Sequence, residues 1–351
     1  MYILFAILIF SVLIIVHELG HFIAAKSLGV QVNEFSIFMG PKLLQKQGRE
    51  TLYTLRLLPI GGFCAMEGED AESENPRAFT SARVWKRAVI LAAGSLMNFV
   101  AGFLIVLLLY SNAQQFHQPV IESFFDGCPY EASDALQVGD RFYSIDGKRI
   151  YQYSDVEFYL SRGEDTVYDI VVIRDGEKVA LNNFSMTRIE YETEQGTQLK
   201  YGLRYASSEA TFGEKLRQSW YNSVNFARLV WISLGDLVGG KVGLNDMSGP
   251  VGIVSVISDT GKSAETVRAG IENVLYLGAF IAVNLAVMNL LPIPALDGGR
   301  LFALVITGIA EHLLRRKIDP KYEGYIHAAG MILLLAFMAF VTFKDIWKLV
   351  F

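Results

Sequence analysis

The sequence predicts a polytopic α-helical membrane protein of four transmembrane helices, with a β-rich domain inserted between the second and third. Three observations carry this. Of the 351 residues, 52% are hydrophobic and 19% charged, and the mean hydropathy is +0.32, too apolar for an ordinary soluble chain of this length. Four segments are long and apolar enough to cross a bilayer core of roughly 30 Å. Basic residues gather between spans one and two and again between spans three and four. A net charge of -5 argues against a nucleic-acid partner. Cys64 and Cys128, far apart, fit neither a disulfide framework nor a Cys-x-x-Cys metal site.

The first span runs from Tyr2 to about Ala25, interrupted only by His17, Glu18 and His21. It has no basic stretch before it and no small-residue cleavage site after it, so a retained helix is expected rather than a signal peptide. The second is Ala88 to Tyr110. The third lies at about Ile271 to Leu291, and the fourth runs from Ile326 to about Phe343. Lys26, Lys42, Lys46, Arg49, Arg56, Arg77, Arg83, Lys86 and Arg87 fall in the first connection. Arg300, Arg315, Arg316, Lys317 and Lys321 fall in the last. Both connections are therefore expected in the cytoplasm. Ser111 to about Gly270 and both termini are then outside. As domains this gives 1–25, 26–87, 88–110, 112–206, 207–268, 269–300, 301–325 and 326–348, with 301–325 a cytoplasmic loop.

The outside segment opens with short strand-like runs and turn signals at Asp146-Gly147 and Asp175-Gly176. Leu136 to Ile150 is similar to the carboxylate-loop region of PDZ domains, where a Gly-Asp pair precedes a strand ending in an Asp-Gly turn. An α+β PDZ-like domain over 112–206 would bind peptide termini by strand addition; any small β domain is the alternative. From Phe212 to Leu237, Trp220, Val224, Ala227 and Trp231 recur at helical spacing. An amphipathic helix on the outer membrane surface is expected, in contact with lipid. A fifth span would bury Arg217, Asn222, Asn225, Arg228 and Asp236 at high cost.

His17 and His21 are four apart and share one helix face. With Glu18 they form H-E-x-x-H, two zinc-ligating imidazoles and a carboxylate placed to take a proton from a water. The motif begins about 24 Å along the helix, inside the bilayer. Three polar residues in a span need a functional reason. Catalytic zinc usually has three protein ligands. His117 lies outside, His312 falls among charges in an expected loop, and His327 opens span four as a structural or interfacial residue. Asp297, just past Pro292 and Pro294 at comparable depth, is the better third ligand. An ordinary Asp-Gly turn is its plain alternative.

H-E-L-G-H in the first span with N-x-x-P-x-P-x-L-D-G-G near the third resembles the site-2 protease family of intramembrane zinc metalloproteases. The inserted PDZ-like domain makes the chain similar to the bacterial regulator-of-sigma-E type. The resemblance extends over nearly the whole chain. Leu58 to Asp70 resembles the family's membrane-reentrant β-hairpin, and Met247 to Val254 its Gly-Pro-Val-Gly segment. It implies one Zn2+ per chain on His17, His21 and Asp297, with Glu18 as base. Asn284, Asn289, Pro292 and Pro294 would handle the substrate backbone. Gly61, Gly62 and Phe63, if not an ordinary turn, would offer an edge strand to an unwound transmembrane substrate. The implied location is the bacterial cytoplasmic membrane, and the implied substrates are single-span proteins such as anti-sigma factors or remnant signal peptides. Two features depart: Gly94-Ser95 stands where Gly-Pro is expected before Asn98-Phe99, and only one PDZ-like unit fits.

Three rivals are disfavoured. A protease cutting soluble segments needs its motif outside the bilayer. A silent PDZ receptor would lack Glu18 or Asp297. A zinc transporter needs charges or histidines in several spans, and span two has none.

Overall fold

The computed structural model describes residues 2–350 except 70–72, 133–134, 164, 194–195, 244–247 and 315–320. Asp70 and Met247, at the ends of two motifs above, and the basic residues Arg315, Arg316 and Lys317 lie outside the described residues. In chain order the elements are α1 (Tyr2–Leu28), β1 (Val32–Gln47), β2 (Leu52–Met66), α2 (Val84–Tyr110), β3 (Gln115–Phe124), β4 (Arg141–Ile145), β5 (Lys148–Arg149), α3 (Tyr153–Arg162), β6 (Val167–Arg174), β7 (Glu177–Ser185), β8 (Ile189–Thr193), β9 (Gly196–Lys200), β10 (Leu203–Glu209), α4 (Phe212–Val238), α5 (Pro250–Lys262), α6 (Val267–Asn289), α7 (Asp297–Leu314) and α8 (Lys321–Val350). They form two compact units, Met1–Leu109 with Asn222–Phe351, and Tyr110–Tyr221. Helices α1, α2, α6 and residues Gly324–Lys348 of α8 are long and apolar enough to cross a membrane.

In the first unit, α1 is wrapped by its neighbours. Ala6 and Leu13 pack into one cluster with Ile257 of α5 and Val274, Ile281 and Ala282 of α6. One turn past His17, Gly20 lets α2 come into backbone contact: a Cβ there would stand 2.4 Å from the Ala93 carbonyl oxygen. Close approach through small residues is how helices associate where lipid supplies no hydrophobic drive.

The strands β1 and β2 pair over their whole length, each bending midway, at Phe38 and Gly40 (φ 70 and 88) and at Gly61 (φ 79). Val32, Phe35 and Ile37 stand opposite Met66, Cys64 and Gly62; Leu44 and Gln47 stand opposite Leu55 and Leu52; Phe35 also lies beside Tyr53. The stretch Gly62–Met66 is thus outermost, with β1 on one edge only. Near the bends, Met39, Leu43, Leu44, Leu57 and Leu58 are exposed. On α1, six residues before His17, Ser11 donates its hydroxyl to the Ile7 and Pro59 carbonyls, 2.8 Å each, so the hairpin reaches back along the helix. Lys86 Nζ caps the far end of α1 at the Leu28 carbonyl, 2.8 Å.

Two helices lie where loop or linker is expected. Helix α7 occupies much of 301–325, and the backbone at His312 is helical rather than loop. Helix α5 occupies much of the linker in 207–268. It starts with Pro250 at its first turn, where the missing N–H costs nothing. The buried Asp345 of α8 accepts from Gly249 and Gly252 N–H, 2.8 and 2.9 Å. Asn222 of α4 donates to Tyr276 Oη, 3.1 Å, and Phe226 packs edge-on against Tyr276 and Phe280. This face of α4 therefore rests on α6, leaving Trp220, Val224 and Trp231 exposed.

The second unit is a sheet in the order β10-β3-β4-β6-β7, with β5 on β4, and a separate β8-β9 pair. Alternation directs Ile170 and Val172 into a core with Phe142, Ile145, Val156 and Leu160. The Asp-Gly pairs form the expected tight turns, with φ 49 and 72 at Asp146-Gly147 and 50 and 85 at Asp175-Gly176. Asp140, of the Gly-Asp pair, is fully buried and holds Arg174 through both oxygens, 2.7 and 2.8 Å.

The turn between β1 and β2 is tied to the end of α1 by Glu50, which takes hydrogen bonds from Arg77 (2.7 Å) and from Lys26. These partners, Arg77 first, hold the Glu50 carboxyl down at about 2. Its folded value lies below its unfolded one, so this tie is complete above about pH 4.5 and is lost as the pH falls towards 2. Amides of Leu52–Arg56 should show rising excess hydrogen exchange across that window. Glu50→Gln should exchange faster at neutral pH and show no such rise. The effect will be small because Arg77 is half exposed and screened; equal exchange in the two proteins at pH 7 would remove the tie.

Candidate metal centre and active site

Helical spacing puts His17 and His21 on the side of α1 that faces α2 and α7. Their Nε2 atoms are 3.2 Å apart. Asp297 opens α7, and its Oδ2 lies 3.1 Å from His17 Nε2 and 3.2 Å from His21 Nε2. Ligand atoms at about 2.0–2.1 Å around a tetrahedral zinc ion stand roughly 3.3 Å from one another, so the triangle has the right size. Asp297 Oδ2 is buried, and no donor among the described residues is aligned on it. Two nitrogens and a carboxylate oxygen are also the donor set that zinc takes. Among the described residues this is the one group of three or more such side chains so placed.

The imidazoles are oriented from behind. His21 Nδ1 lies 2.8 Å from the Ile90 carbonyl; donating there leaves the Nε2 lone pair free for a metal. His17 Nδ1 lies 3.4 Å from the Asn98 amide nitrogen, while Asn98 Oδ1 is buried without a partner. Amide oxygen and nitrogen exchange places by a half-turn. Turned, Oδ1 accepts the Nδ1–H that metal binding through Nε2 requires. Sequence reasoning noted Asn98 only as part of a motif. The signal available was a lone amide in an otherwise apolar span.

Glu18 lies beside the triangle, and the Cys64 backbone N–H lies near its carboxylate. The outermost stretch Gly62–Met66 therefore runs beside the site. Gly62 lies next to Glu18 as well, with its Cβ position 3.7 Å from Glu18 Cγ. Gly61 provides the bend, and Phe63 stacks on the Arg56 guanidinium at 5.0 Å. Asn284 and Asn289 are half buried on α6, and neither side chain forms a hydrogen bond to another described residue. Pro292 is exposed, whereas Pro294 is partly covered by α8. The structure thus gathers His17, Glu18, His21, Asp297 and Gly62 in one place, while His117 belongs to the other unit.

This chain belongs to peptidase family M50, the site-2 protease family, whose model matches residues 5–337. A Clostridium perfringens protein bearing a zinc metalloprotease name is 34% identical over 348 residues, 99% of this chain and 98% of its own. The zinc metalloprotease RasP of Bacillus licheniformis is 28% identical over 98% of both chains. The regulator of sigma-W protease RasP of Bacillus subtilis is 27% identical over 98% of this chain and 97% of its own. The matches run nearly end to end, so the motif, the inserted unit and Asp297 all fall within them. The protein is a zinc metalloendopeptidase and, with its four apolar helices, a multi-pass membrane protein.

Gly94 of α2 closes the site from below. A Cβ there would stand 2.4 Å from His21 Nε2 and 2.7 Å from His17 Cε1. Gly94→Ala should therefore push the imidazoles apart and weaken zinc retention by tenfold or more, as other displacements of ligand supports do. Helix content should be unchanged. Chelator competition on the purified protein measures it, and wild-type zinc affinity in Gly94→Ala would mean that α1 and α2 can part without loss.

Proposed function

We propose that this enzyme cuts within the transmembrane segments of single-span proteins, using one zinc ion held by His17, His21 and Asp297 and Glu18 as general base. The observation that carries the reading is the convergence of three ligand atoms within 3.2 Å of one another, deep in an apolar helix and beside an open strand edge. Zinc, when bound, polarises the carbonyl under attack and makes water acidic enough to react near neutral pH. Glu18 takes the proton from that water and returns it to the departing amine.

A helical peptide bond is shielded by its own hydrogen bonds, so the substrate must be unwound. Away from water, the freed N–H and C=O groups need partners. The outer edge of Gly62–Met66 offers them by strand addition, with Asn284 and Asn289 available for further backbone groups and Pro292 and Pro294 holding that wall open. The bond from Ser11 to Pro59 and the exposed leucines at the bends support a hairpin that re-enters the membrane. The name of the Bacillus subtilis relative, a regulator of sigma-W protease, supports anti-sigma factors as a substrate class; remnant signal peptides are a second. Trp220, Val224 and Trp231 suit the lipid headgroup region, and the second unit, read as PDZ-like, suits peptide termini. The reading puts the chain in the bacterial cytoplasmic membrane with that unit outside.

With the protein in vesicles and candidate single-span substrates, Glu18→Gln should keep its zinc and lose about 10²–10⁴-fold in turnover. Normal cutting by this variant would place the base elsewhere. For orientation, a cysteine-free background should carry single cysteines at Asp175 or Ser81. In cells stripped of any outer barrier, an impermeant thiol reagent should label the first and spare the second. The reverse pattern would invert the topology.

A further inference from the structure

The segment between α6 and α7, Leu290 to Leu296, delivers Asp297, and it is clamped from two sides. From the α7 side, Gly298 and Gly299 let the first helical turn lie against the segment's own carbonyls. A Cβ at Gly298 would stand 2.3 Å from the Leu291 oxygen, and one at Gly299 2.2 Å from the Ile293 oxygen. From the α8 side, Gly330 presses on Pro294, where a Cβ would fall 2.3 Å from the Pro294 Cβ. Three residues earlier and on the same face of α8, His327 Nδ1 accepts a hydrogen bond from Ala295 N–H at 3.1 Å.

Ala295 has φ 77, a left-handed conformation that an alanine adopts only when its surroundings impose it. It lies two residues before Asp297. Relaxation of Ala295 to negative φ would rotate the chain that follows and carry the carboxylate away from His17 and His21. Pro292 and Pro294 lack N–H groups of their own, so Ala295 supplies the first backbone donor after them, and His327 takes it.

We propose that His327 is a positioning residue for the zinc site: it fixes the left-handed turn at Ala295 and so sets the place of Asp297. This rests on Asp297 being a zinc ligand. Partners hydrogen-bonded directly to a metal ligand typically contribute 10–100-fold to metal affinity; His327 acts through the backbone two residues before Asp297, so the lower end of that range is expected.

Zinc affinity of the full-length protein in detergent, measured by competition with a coloured chelator, tests it. His327→Leu should bind zinc at least tenfold more weakly than wild type. Ala295→Gly added to His327→Leu should restore most of the affinity, because glycine takes positive φ without help. A merely structural loss in α8 would not be repaired by a glycine 32 residues away. If the leucine variant does not fold, His327→Asn, polar but too short to reach Ala295, replaces it in both measurements. Wild-type affinity in the His327 variant, or a loss that Ala295→Gly leaves unrepaired, overturns the proposal. Asp297→Ala separates the two levels. If it loses zinc while His327→Leu does not, the positioning role alone fails; if it keeps zinc, the ligand assignment fails first.

Discussion

Two imidazole nitrogens and a carboxylate oxygen stand 3.1–3.2 Å apart inside an apolar assembly. Lone pairs crowded this closely, away from water, repel one another unless a cation or shared protons lie among them. The surrounding fold is arranged to hold them there. Helix α2 must approach α1 to backbone contact at Gly20, and Gly94 must leave room for both rings. The Ile90 carbonyl and Asn98 must sit behind the imidazoles, and Asp297 must arrive from a segment 276 residues further along. A change at any of these contacts reaches the ligands directly, because a packed interior transmits displacement rather than absorbing it.

The same geometry links the metal centre to the hairpin. Glu18 belongs to α1, and Gly62 beside it belongs to the outermost strand. Glu18 and the hairpin edge are therefore neighbours, and the hairpin is held at several points. Ser11 holds the hairpin at Pro59, near its bends, and the Glu50 cluster holds its turn at the end of α1. Just past the end of β2, Arg300 of α7 pairs with Glu69 at 2.5 Å, joining the hairpin to the helix that begins with Asp297.

The parts of the site legible in the sequence were those encoded locally. His17, Glu18 and His21 signal by helical spacing in an apolar span, and Asp297 by being a carboxylate at comparable depth after a proline break. The four spans and the Asp-Gly turns have equally local signals. What escaped depends on partners distant in sequence. Helix α7 was hidden because Asp297-Gly298-Gly299 reads as a turn, whereas the glycines serve close packing against the preceding carbonyls. Helix α5 was hidden because its N-terminal N–H groups are capped by Asp345, more than 90 residues away, instead of by a neighbouring side chain. Asn98 signals only as a lone amide in an apolar span, and Gly94 and His327 have no local signature of their roles, since each acts only through what another helix brings to it.

The hydroxyl of Ser11 has one proton and two takers, the Ile7 carbonyl four residues back in its own helix and the Pro59 carbonyl of the hairpin. Serine in a helix commonly bonds to that earlier carbonyl. Swinging the hairpin away from α1 therefore leaves no donor stranded in the membrane; the proton turns wholly to Ile7, and only the Pro59 oxygen must find another neighbour. This one contact between the hairpin and the first helix can thus part at the cost of a single acceptor, while the packing of Phe35, Cys64 and Met66 against the same helix carries the rest of the attachment.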